Sequence, residues 1–82
     1  MKKNILVVAR NNKVEALRVA AGLTLLDDVV RIAVLGALEE TPAVREQLEV
    51  LEFTEVPMQR YDAPTDPAFA REVIGADLVY VL

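Results

Sequence analysis

No cysteine and no histidine occur among the 82 residues. The first absence excludes a disulfide framework. It also excludes thiolate nucleophiles, persulfide carriers and thiolate zinc sites. The second removes the commonest metal ligand and the only side chain whose unperturbed pKa lies near neutrality. Thiol chemistry and much neutral-pH acid–base chemistry are thus closed before any motif is read, and no cofactor or metal is expected. Positive charge is also short: 9 Lys and Arg stand against 13 Asp and Glu, a net charge of -4. That balance makes a nucleic-acid backbone a poor partner, because phosphate binding needs clustered cations. Long apolar runs are missing too. Met1-Lys2-Lys3-Asn4 leads into the short run Ile5-Leu6-Val7-Val8-Ala9. Such a run is too brief for a signal-peptide core or a membrane span, so the expected location is cytoplasmic, away from any membrane.

What is present is apolar side chain, 54% of the sequence, which argues against disorder. The length suits one α/β domain over residues 1–82. A chain this short buries only about 60–65% of the surface its unfolded form exposes. It must compensate by apolar content or by burying surface against another chain.

The run from Ile5 to Ala9 is unbroken rather than alternating, which fits a strand covered on both faces of a parallel sheet. Arg10, Asn11, Asn12 and Lys13 end it with polar turn formers. Residues 14–26 then have helical spacing, with Val14, Leu17, Ala21 and Leu25 on one apolar face. Val19, Leu23 and Leu26 form a second apolar face, and Glu15, Arg18 and Gly22 a narrow polar or neutral stripe. A helix apolar on two sides needs cover on two sides. Asp27-Asp28 turns the chain into a second strand over residues 29–35, ended by Gly36. Thr41-Pro42 reads as a helix start, cap then proline. Val44, Leu48 and Leu51 supply the buried stripe of that helix. Residues 54–61 are the weakest strand, with Val56 and Met58 as inward candidates, and Pro57 demotes it to a sheet edge. Asp66-Pro67 repeats the cap-then-proline start, and Gly75 occupies the place of a left-handed C-terminal residue. Residues 78–82 are a final apolar strand.

Alternation of this kind predicts a three-layer α/β/α fold on a four-stranded parallel sheet. The order 3-2-1-4 is preferred over variants of 2-1-3-4, because it puts the proline strand outermost. Right-handed crossovers then place the first two helices on one face and the third alone on the other. One helix covers about 10 Å of a sheet about 19 Å wide, so much of its face stays open, and open apolar sheet marks an interface. The expected interface residues are Val19, Leu23, Leu26 and Tyr80, in a homo-oligomer.

The same order predicts a crevice at the carboxyl ends of strands one and four, where ligands of open α/β sheets bind. Arg10, Asn11, Asn12 and Lys13 lie there, at a helix N-terminus. They read either as an anion or phosphate pocket or as an ordinary polar loop. No glycine in the loop allows close phosphate approach, and no G-x-G-x-x-G or Walker pattern occurs. Glu39-Glu40 suits the dipole of the helix that follows. Tyr61 and Tyr80 carry hydroxyls that could serve a site, but strand positions favour core or interface. No catalytic residue is assigned.

The stretch Glu15-Ala16-Leu17-Arg18-Val19-Ala20-Ala21-Gly22-Leu23, followed by Val30-Arg31-Ile32-Ala33-Val34-Leu35-Gly36, resembles the first β-α-β unit of the sulfur-relay DsrE-like family. The resemblance covers about the first 36 residues and beyond them only the order of elements. It implies a three-layer α/β/α fold, a homo-oligomer and, in some members, sulfur transfer through a cysteine. This chain departs on the last count, because no position can carry a persulfide. Three functions stay open. One is a non-catalytic oligomeric accessory or binding protein. Another is a small-ligand or anion binder, with enzymes included, using the crevice. The third is an interaction module whose open sheet face docks a different protein.

Overall fold

The computed structural model describes residues 2–26 and 28–82. Four strands and three helices alternate: β1 (Asn4–Ala9), α1 (Lys13–Leu23), β2 (Val29–Leu35), α2 (Pro42–Phe53), β3 (Met58–Tyr61), α3 (Pro67–Gly75) and β4 (Leu78–Val81). The strands form one all-parallel sheet of order β3-β2-β1-β4. The preferred order is therefore the observed one. The unbroken apolar run of β1 lies in the interior, and the strand that follows Pro57 lies at an edge.

Two clusters divide the core between the sheet's faces. Ile5, Val7 and Ala9 of β1 pack with Ala16, Leu17 and Ala20 of α1 and with Val44 and Leu51 of α2. Leu6 and Val8 point the other way, joining Ala33, Leu35 and Tyr61 against Phe69 and Val73 of α3. The two-residue period of a strand sends alternate β1 side chains to opposite layers. An apolar residue is therefore needed at every position, which is why β1 is not alternating. Tyr61 and Phe69 meet edge to face, centroids 5.6 Å apart and tilted by 59°.

Both cap-then-proline starts form. The Thr41 hydroxyl accepts from Val44 N at 3.2 Å, and an Asp66 carboxylate oxygen accepts from Ala68 N at 2.9 Å. Helix ends depart from the expectation. α1 stops at Leu23 rather than residue 26, and Leu25 is 88% exposed instead of facing the core. Leu25 N and Leu26 N bond back to the carbonyls of Gly22 and Leu23, three residues away. This tightened last turn breaks the phase that would have carried Leu25 inward. Asp27, half of the expected Asp27-Asp28 turn, lies outside the described residues. Asp28 accepts the amide of Lys3 at 3.0 Å.

β3 begins at Met58, four residues later than expected, because Thr54, Glu55 and Val56 finish α2 instead. Glu55 N bonds to Glu52 O at 3.1 Å and Val56 N to Leu51 O at 3.0 Å. This is the paired closure in which the residue past the cap adopts a left-handed conformation. Val56 packs onto the core that holds Leu51, whereas Met58 is 44% exposed. The left-handed residue is Glu55, at φ 58, and not Gly75, which ends α3 without a positive φ. A side chain is disfavoured in that conformation by about 1 kcal/mol. Glu55→Gly should therefore raise the urea midpoint, stabilising the chain by roughly 0.5–1 kcal/mol. A lower midpoint would show that Glu55 makes compensating contacts.

Candidate functional site

A cleft of about 360 Å³ opens at the carboxyl ends of β1 and β2. The β1–α1 loop contributes Asn11, Asn12 and Lys13, the β2–α2 loop contributes Glu39 and Thr41, and Val14 and Val44 lie beneath. The N-termini of α1 and α2 both face it. Their free amides are partly spent, since Asn12 Oδ1 accepts Glu15 N at 3.3 Å and Thr41 accepts Val44 N. The Lys13 ammonium donates to the Ala37 carbonyl, tying the two loops together. Gly36, at φ 81, starts that second loop, and a Cβ there would sit 3.6 Å from Lys13 Nζ. Glu39 adds negative charge to the rim. The cleft is thus small, with a polar rim over an apolar floor, and Lys13 ties its two loops together.

Of the four loop residues singled out by sequence, the structure brings Asn11, Asn12 and Lys13 to this cleft and leaves Arg10 outside it. The seam between β1 and β4, where the crevice was expected, is bridged by backbone. Arg10 N and Asn11 N donate to the Leu82 carbonyl at 2.9 and 2.8 Å. Those two amides are consumed in closing the sheet and do not point at a ligand. The opening therefore lies one strand over, between β1 and β2.

A polar cluster that sequence reasoning did not assemble sits on the other face. Arg31 Nη1 lies 3.1 Å from Glu72 Oε1, and the Tyr61 hydroxyl donates to Glu72 Oε2. The hydrogen bond to Glu72 pushes the Tyr61 pKa up to about 12, helped by burial and by the Glu72 charge. A shallow cleft of about 350 Å³ borders the cluster at Pro57 and Met58. Each of these groups is already satisfied by another, so the arrangement clamps α3 to the sheet and poises no nucleophile or base. Arg31 is the one polar residue in the apolar run of β2. Its partner is 41 residues away, so no local pattern could have revealed the pair.

The expected interface residues fall in two places. Val19 and Leu23 are half-buried on α1, with Leu23 packed against the core, while Leu26 is 57% exposed beyond the helix end. Tyr80 lies in β4, where every residue is open: Leu78 39%, Val79 38%, Tyr80 42% and Val81 57% exposed. Leu78 and Tyr80 stand opposite Ile5 and Val7, on the α1–α2 face, and Val79 and Val81 stand opposite Leu6 and Val8, on the α3 face. Neither helical layer reaches far enough to cover β4.

Among the described residues no helix is long and apolar enough to cross a membrane. Among the same described residues, no group of three or more acidic side chains is placed to hold a metal ion. Compared with known proteins, the chain matches no family model, no curated protein and no solved structure.

Proposed function

We propose that this chain is a non-catalytic, self-associating accessory or binding protein of the cytoplasm, with a DsrE-like fold that has lost any sulfur-carrying role. The observation that carries the reading is β4. It is an outermost strand made only of large apolar residues, exposed on both faces. Leaving a Leu or Val side chain in water forgoes roughly 1.5–3 kcal/mol relative to full burial. Several together match a large part of the ~5 kcal/mol net stability of a small domain. Burial against another copy recovers that energy. The lack of cysteine and histidine, and the mutual satisfaction of Arg31, Tyr61 and Glu72, favour this reading over catalysis. Light scattering at micromolar concentration should give a mass at least twice that of one chain. A folded chain that stays monomeric at every concentration would refute it.

A further inference from the structure

We propose that two copies pair their β4 strands antiparallel about a two-fold axis at Tyr80, fusing two four-stranded sheets into one; the inference rests on the self-association proposed above. The two sheet edges differ in kind. β3 carries Gln59 and Arg60 and is preceded by Pro57, devices that discourage edge-to-edge pairing. β4, Leu78-Val79-Tyr80-Val81, carries no charge and no proline. It is the unprotected edge, and a bare edge strand is a template for another strand.

Backbone direction selects the register. Val29 N bonds to Lys3 O, so the odd residues of β1 face β2 and the even residues face β4. Leu82 accordingly donates to Val8 O and accepts from Arg10 N. The two-residue period then turns the amides and carbonyls of Val79 and Val81 outward. With the axis normal to the sheet, opposed residues must share a face, so the axis passes through a residue. An axis at Val79 would set Val81 against Asp77, whose amide is spent on Asn4 O. An axis at Tyr80 sets Val79 against Val81 of the second copy, twice, and all the outward groups of both residues are satisfied. Tyr80 then meets its own copy in a close, non-hydrogen-bonded pair, the position where aromatic cross-strand pairs contribute most. The ends also carry opposite charge. Asp77 Oδ2 accepts Asn4 N at 2.8 Å within its own chain, and this exposed carboxylate comes level with the exposed Arg10 of the second copy, whose side chain has no partner among the described residues.

Because the chain has no cysteine, one introduced thiol reports the register. Tyr80→Cys places two thiols on Cα atoms about 4.5 Å apart, within disulfide range. Under mild oxidation it should convert largely to a covalent dimer, while Met58→Cys on the other edge stays a monomeric thiol. Val81→Pro deletes an outward amide and spares the β1 ladder, since Val81 N–H does not face β1. It should fold, by circular dichroism, and associate about thirtyfold more weakly through the loss of two hydrogen bonds. If the wild-type chain is oligomeric but Tyr80→Cys does not cross-link, the β4 pairing is wrong and self-association stands. The same conclusion follows if folded Val81→Pro associates as tightly as wild type. If the wild-type chain is monomeric throughout, both fall. Should Val81→Pro fail to fold, the thiol pair alone decides.

Discussion

Leu17→Ala should lower stability by about 2–5 kcal/mol, while Leu25→Ala should change it by less than about 0.5 kcal/mol. Both residues fall on the same helical stripe by spacing. Leu17 has no exposed surface and sits where α1 meets both the sheet and α2. Truncating it leaves a cavity that neighbouring strand side chains cannot collapse into, because the sheet ladder holds them. Leu25 is 88% exposed beyond the end of the helix, so its removal deletes almost no buried contact. Urea unfolding measures both variants, with an unchanged slope expected for each. A chain of this size has about 5 kcal/mol to lose, so Leu17→Ala should sit close to its unfolding threshold. Equal effects at the two positions would mean that α1 runs on through Leu25 and that the tightened turn at Gly22 and Leu23 is not formed.

The second large effect is expected at Arg31. Arg31→Glu replaces an ion pair with two carboxylates facing each other beneath α3. Breaking a fully buried pair costs about 3–5 kcal/mol. The side chains here are 27% and 19% exposed, so solvent screens part of the loss and about 1–3 kcal/mol is expected. Arg31→Met should cost less, since it removes the cation without adding an anion.

Glu72 also links this cluster to alkaline pH. Folding raises the Tyr61 pKa from its ordinary 10.0 to about 12. The folded chain thus holds the phenol proton more tightly than the unfolded chain does. The stabilisation is complete below pH 10 and is lost as pH rises from 10.0 to about 12. Glu72→Gln removes the charge and the carboxylate acceptor that raise this pKa, so it should fall back toward 10.0. Tyrosinate absorbance in a Tyr80→Phe background isolates Tyr61, because the chain has only 2 tyrosines. A folded-state titration of Tyr61 near its ordinary value, with Glu72 intact, would remove the clamp from this account.

Local chemistry explains why so much of the scaffold was legible. Thr41-Pro42 and Asp66-Pro67 each join a side-chain acceptor to a residue that has no amide to satisfy. Such starts depend on neighbours in sequence, and both formed where expected. Helix ends were less legible, because several closures compete at each. α2 closes on a left-handed Glu55, where no glycine signalled it, whereas α3 ends at Gly75 without the expected positive φ.

The candidate site was only partly legible. Asn11, Asn12 and Lys13 were identified as loop residues at a helix start, and they do line a cleft. Its place between β1 and β2 was not foreseen, because it depends on which backbone groups the Leu82 carbonyl captures.

The sequence by itself determined the β-α-β-α-β-α-β order and the buried position of β1. It also determined the placement of the proline-preceded strand at an edge. Each follows from periodicity, from a continuous apolar run, or from an amide that proline lacks. Tertiary structure alone decided that Arg31 meets Glu72 across 41 residues, that the β1–β4 seam is closed by backbone, and that β4 is open on the α1–α2 face as well as on the face of the lone third helix. The last of these depends on how far three helices extend over four strands. Coverage of that kind is a property of layers in space, and no spacing along the chain encodes it.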